Sequence, residues 1–178
     1  MADKQTDNLA EITDNAFEYA KLTCEQEEKR ENSLINQATK MTTYFSFVSV
    51  LVLMIIPIII TKEEYIPNNY IIIVSIITLL ALFVSMVFAV IAQWRFKYKA
   101  LSSPMTMFDH IIENKDYFQT KEQRNKSFIQ SLESFWSSKR KINNIRASLI
   151  KISMSIFFGA IGFLIAATTF GIIAFMIV

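Results

Sequence analysis

Polar and apolar positions alternate along the chain in long blocks. In residues 1–40, Leu9, Ile12, Ala16 and Ala20 recur at three- and four-residue spacing with Phe17 and Tyr19 beside them, which predicts an amphipathic helix. The stretch 23–32, TCEQEEKREN, is polar all round, a helix surface supported by same-face pairs such as Glu25 with Lys29 and Glu27 with Arg30. Leu34, Ile35, Ala38 and Met41 then restore the apolar stripe, and it leads without a breaker into an uncharged run over 41–61, long enough to be a first membrane span. Residues 62–69, KEEYIPNN, hold Pro67 and two asparagines, so the chain turns tightly and 70–94 returns antiparallel as a second span.

After Ser103-Pro104, a cap-and-proline helix start, Met107, Phe108, Ile111 and Ile112 form the apolar side of a short helix. The polar stretch 113–126 predicts a turn. Beyond it Phe128, Leu132, Phe135, Ile142, Ile145 and Leu149, with Ile129 and Trp136 adjoining, predict a helix that continues into the last run, 152–178. That run has no ionisable side chain, and as a helix its 27 residues would extend about 40 Å, enough to cross a hydrocarbon core of about 30 Å as a third span. The expected architecture is an all-α integral membrane protein with three transmembrane helices and a helical cytoplasmic layer, in four parts: 1–40, the hairpin 41–94, the segment 95–151 and the last span 152–178.

Charge changes the picture by giving the spans a direction. Overall the formal charge is only +2, but residues 1–40 carry net −4 and residues 95–151 net +7. One basic residue, Lys62, lies between the first two spans against twelve between the second and third. The N-terminus and 95–151 are therefore expected in the cytoplasm and the C-terminus outside.

Small residues give the spans partners. Ser155, Gly159, Gly162 and Ala166 share one face of the last span and Ala160, Ala167, Gly171 and Ala174 another, and such faces let helix backbones approach closely in lipid. Homo-oligomerisation is expected, with one face packing and the other a candidate pore lining. Thr42, Ser46 and Ser49 make a hydroxyl stripe at the start of the first span, bonding either to their own helix, to a neighbour or into a pore. Thr78, Ala81, Ser85, Ala89 and Ala92 form a similar stripe on the second.

Candidate chemistry is sparse. The single cysteine, Cys24, excludes an intrachain disulfide. His110 has no second histidine or cysteine nearby for a metal, and every glycine lies in the last run, so no phosphate-cradling loop is present. No span holds an ionisable residue, which argues against a proton relay or voltage sensor but allows a passive pore gated by apolar constriction. Neither an enzyme nor a cofactor is expected. The strongest functional signal is the basic set Arg95, Lys97, Lys99, Lys139, Arg140, Lys141 and Arg146, with Lys151 beyond, interleaved with Phe96, Tyr98, Phe135 and Trp136. Positive charge among aromatic rings suits a polyanion, phosphates on the cations and bases on the rings. The same residues also suit anionic headgroups at span ends, or the acidic N-terminal arm.

The acidic N-terminal helix, the hairpin with its short loop KEEYIPNN, the exit WRFKYK at 94–99 and the following cytoplasmic helix together resemble the small membrane effectors of bacterial anti-phage systems that signal with nucleotides. The chain is similar to the SLATT group of effectors, and with its added last span to the membrane component of Hailong defence. The resemblance implies an oligomeric channel in the bacterial inner membrane, controlled by a nucleotide-derived ligand or short DNA oligomer from a partner nucleotidyltransferase, whose opening depolarises the cell. The alternative is a membrane protein that binds without conducting, a toxin-immunity protein or an anchor for a soluble partner.

Overall fold

The computed structural model describes residues 2–60, 68–94, 96–97, 101 and 104–176, with side chains from Glu11 onward and, in the first apolar run, as far as Met54. Among these residues the chain is all-helical: α1 (Ala2–Ile60), α2 (Asn68–Gln93), α3 (Pro104–Glu113) and α4 (Lys121–Met176). The loop 62–67 and Ser103 lie outside the described residues. Among the described residues two helices are long and apolar enough to cross a membrane, over Asn69–Gln93 and within Lys121–Ala174. The run 41–60 is helical throughout, continuing through Pro57. The chain forms two compact units, Met1–Asn32 with Arg95–Asn144, and Ser33–Trp94 with Ile145–Val178. Helices α1 and α4 contribute to both.

The apolar unit is a packing of α1, α2 and α4 through their small faces. On α2 the predicted stripe is the buried one: Thr78, Ser85, Ala89 and Ala92 are buried and Ala81 half-buried. Leu82 fills the space beside them, and Phe45 of α1 stacks on Phe157 of α4 with ring centroids 4.2 Å apart. Ser85 Oγ donates to the Ser153 carbonyl at 2.8 Å and Ser153 Oγ donates to the Ser85 carbonyl at 2.7 Å, with both side chains fully enclosed. Tyr70 donates to the Ala167 carbonyl at 2.9 Å, so α2 and α4 run antiparallel. Gln93 donates to Thr42 Oγ1 at 2.7 Å, which pairs the end of α2 with the start of the apolar run of α1, also antiparallel.

Bulky residues face outward instead. Phe47, Leu53, Ile73, Leu80, Phe83, Phe158, Ile165 and Phe170 are each more than half exposed. A largely apolar exterior of this kind is opposed by water and matched by lipid.

The charged unit is built differently. Here α1 and α4 run parallel and are fastened by polar groups: Asp14 pairs with Lys121 and accepts from Asn125 at 2.7 Å, Asn143 donates to Glu27 at 2.9 Å, and Lys139 meets Glu31 at 3.1 Å. Apolar contacts join them as well: Phe17 packs against Phe128 at 5.9 Å, and Cys24 is buried with its Sγ 3.6 Å from the Leu132 carbonyl. The inward stripe of the arm is thus Asp14, Phe17, Cys24, Glu27 and Glu31. Ile12, expected on the packed side, is 63% exposed. The α4 face opposite the arm offers amides and cations, so acids rather than aliphatics find partners there.

Two expectations follow. Replacing Ser85 or Ser153 by Ala removes one interhelical bond and should cost about 0.6–1.7 kcal/mol each, whereas Ser153→Leu should cost more than the double alanine variant, as read by unfolding in mixed micelles. In the charged unit, the hydrogen bond from Lys121 holds the Asp14 carboxyl below its ordinary range, while burial pushes the Cys24 thiol up. A lowered folded-state value means that Asp14 strengthens arm docking above the ordinary aspartate range, and that this contribution is lost as pH falls through the lowered value. Cys24 should react slowly with maleimide at neutral pH and faster in Asp14→Asn, a variant that should also lose the acid-side decline.

Candidate ligand-binding groove

A helix puts residues seven apart on one face, so Lys139 and Arg146 point the same way on α4, and that way is inward. Lys139 is buried, its ammonium held by Glu31 and lying 5.3 Å from the Phe135 ring centroid. Arg146 is 1% exposed, and its Nη2 donates at 3.2 Å to the Trp94 carbonyl, one residue past the end of α2. A cation there complements the negative end of the helix dipole and the carbonyls left open at the terminus. These two members of the basic set are engaged within the protein. Arg140, Lys141 and Lys97 are exposed, as is Lys151, whereas Arg95, Lys99 and Tyr98 lie outside the described residues.

Beside Arg140 the charged unit has a groove of about 350 Å³ between the arm and α4. Ala16, Ala20 and Tyr19 line it from α1, and Ile129, Leu132 and Trp136 from α4. The two alanines leave the space, one turn apart, and Tyr19 stands at its side, 71% exposed. The Arg140 guanidinium lies 4.9 Å from the Trp136 ring centroid. Glu133 is the one carboxylate in the lining. Flat apolar walls suit a planar ring, and a guanidinium stacked on the indole can offer its donor fork to a phosphate without losing that contact.

The sequence pattern sets Arg140 near Trp136, where the structure stacks the two, and it misses the contribution of α1. Tyr19 reads there as part of an amphipathic stripe. The available signal was a large aromatic on a polar surface between two alanines.

In the apolar unit, the hydroxyls of Thr42, Ser46 and Ser49 donate to the carbonyls of Ala38, Thr42 and Phe45 at 3.0, 2.9 and 2.8 Å. Ser46 and Ser49 also border a groove of about 560 Å³ with Ile76, Leu80 and Phe83. The two small faces of α4 separate cleanly: Ala160 and Gly171 are buried, whereas Ser155, Gly159, Gly162 and Ala166 are exposed. A methyl group built at Gly159 or Gly162 would meet nothing within 4 Å. Among the described residues no three His, Cys, Asp or Glu side chains gather as they would to hold a metal ion.

The two classes of cation should respond differently to removal. Lys139→Ala leaves Glu31 enclosed without its ammonium and should cost about 3 kcal/mol, whereas Lys141→Ala should stay within about 0.5 kcal/mol of the parent, read from thermal loss of helicity. No family model matches the chain, and comparison with curated proteins and with solved structures finds no match.

Proposed function

We propose that the protein is an oligomeric membrane effector of the kind used in bacterial anti-phage defence, a channel whose opening is controlled by a nucleotide-derived or oligonucleotide ligand. The observation that carries this is the groove lined by Tyr19 and Trp136 around an apolar space, with the Arg140 guanidinium stacked on the Trp136 ring. A base enters between the rings and the phosphates meet Arg140 and Lys141. Residues 41–61, 70–94 and 152–178 cross the inner membrane, with the N-terminus in the cytoplasm and the C-terminus outside. The parallel course of α1 and α4 and the antiparallel course of α2 support that topology.

Copies associate through the exposed face of Ser155, Gly159, Gly162 and Ala166, where close backbone approach is open. The ligand and a partner nucleotidyltransferase follow from the resemblance to SLATT and Hailong effectors. Because α4 both lines the groove and carries the exposed small face, a ligand that prefers one position of α4 biases the channel between its states.

The test is single-channel recording from the purified protein in planar bilayers, with and without cyclic nucleotides and short DNA oligomers. Discrete steps that respond to ligand in the parent, and steps without ligand response in Arg140→Glu with Lys141→Glu, are the expected result. One observation favours the non-conducting alternative: Glu11, Glu18, Glu25 and Glu28 are exposed along the arm and form an acidic stripe suited to a soluble basic partner. Silent bilayers from correctly inserted protein would favour that alternative over the channel.

A further inference from the structure

Where α3 meets the start of α4 there is a second cavity, of about 290 Å³, separate from the groove and lined mainly by polar side chains. Its chemistry is one-sided. The Asn114 amide lies 3.3 Å from His110 Nδ1 and donates to the His110 carbonyl at 2.9 Å. These two contacts hold the imidazole at the cavity wall.

Gln123 spends its oxygen on the Thr120 N–H at 3.2 Å, in a reciprocal cap at the N-terminus of α4, and so keeps its amide hydrogens free. Lys126, Ser127 and Gln130 line the α4 side and make no hydrogen bond or ion pair among the described residues. No carboxylate is in the lining. The rings of Phe118 and Tyr117, edge to face at 5.1 Å, form the remaining wall, and Phe118 is buried.

We propose that this cavity binds the phosphate group of a small soluble phosphate, free or as a monoester. Donors from Gln123, Lys126, Ser127 and Gln130 face the oxyanion, the His110 ring closes the α3 side, and Lys126 supplies the countercharge. The Tyr117 ring, 64% exposed, is placed to cover an organic substituent on a monoester.

The His110 imidazole is the only one in the chain and reports on the cavity by NMR. Full-length protein in micelles is titrated with inorganic phosphate, adenosine monophosphate and adenosine, at constant ionic strength kept by chloride. Saturable shifts of the His110 ring signals with phosphate or the monophosphate, and none with adenosine, are expected. Tighter binding of the monophosphate would identify a monoester as the source, and equal binding the free anion. Lys126→Gln should weaken binding at least tenfold, Lys126→Arg should largely retain it, and Arg140→Glu should leave it unchanged. Absence of a saturable shift, a shift of equal size with adenosine, or affinity unchanged in Lys126→Gln would overturn the proposal.

Discussion

How closely α2 and α4 can approach is set at Ser85 and Ser153, each of which donates to the other's backbone carbonyl from a fully enclosed position. Two reciprocal bonds of this length require the backbones to lie a serine side chain apart, and the neighbouring contacts conform. Ala89, Ala92 and Ala160 are buried because nothing larger fits at that separation, and Phe45 and Phe157 fill the wider gap where α1 completes the packing. Many of the large aliphatic and aromatic side chains, Phe47, Leu80, Phe83 and Phe158 among them, lie on the outside. Small and hydroxyl residues within and bulky apolar residues without is the reverse of the order in a water-soluble protein, and it follows from lipid contributing no hydrophobic drive between helices.

The charged unit solves the opposite problem. Among its described residues the arm meets α4 through acids paired with amides and cations. Salt screens such contacts where they are exposed, as at Asp14 and Lys121, and spares them where they are enclosed, as at Lys139 and Glu31. One helix therefore uses its basic residues in two ways: Lys139, turned toward the arm, holds the unit together, and Arg140 and Lys141, one and two positions on, are exposed.

Helix boundaries were legible because they are local. Ser103-Pro104 marks the residue at which α3 begins, the polar stretch after 113 contains the turn, and α4 starts at Lys121 and passes without a break into the last apolar run. The buried stripe of α2 was legible because lipid leaves small residues little other reason to align. The inward direction of a face was not. Lys139 and Arg146 share a side of α4 by simple periodicity, but periodicity does not say whether that side meets water, and only the presence of Glu31 and the end of α2 decides it. Ile12 leaves its expected place on the packed side for the same reason. The cavity at His110 depends on a turn that returns α3 against residues 123–130, a relation that no spacing in the sequence records.

For a channel controlled from the groove, the magnitudes constrain how many copies must act. A hydrogen bond from Arg140 to a phosphate, charge-assisted and made in one state alone, contributes about 1.5–3 kcal/mol. Shifting a two-state equilibrium from one in a hundred to ninety-nine in a hundred takes about 5.5 kcal/mol of differential affinity. One groove therefore cannot throw the switch through Arg140 alone, and adding a second cation such as Lys141 brings a single subunit only near the threshold. Two to four copies moving together cross it. On the proposed reading, contacts this weak favour copies that move together, and the exposed Ser155, Gly159, Gly162 and Ala166 face on the same helix is the place proposed for copies of α4 to meet.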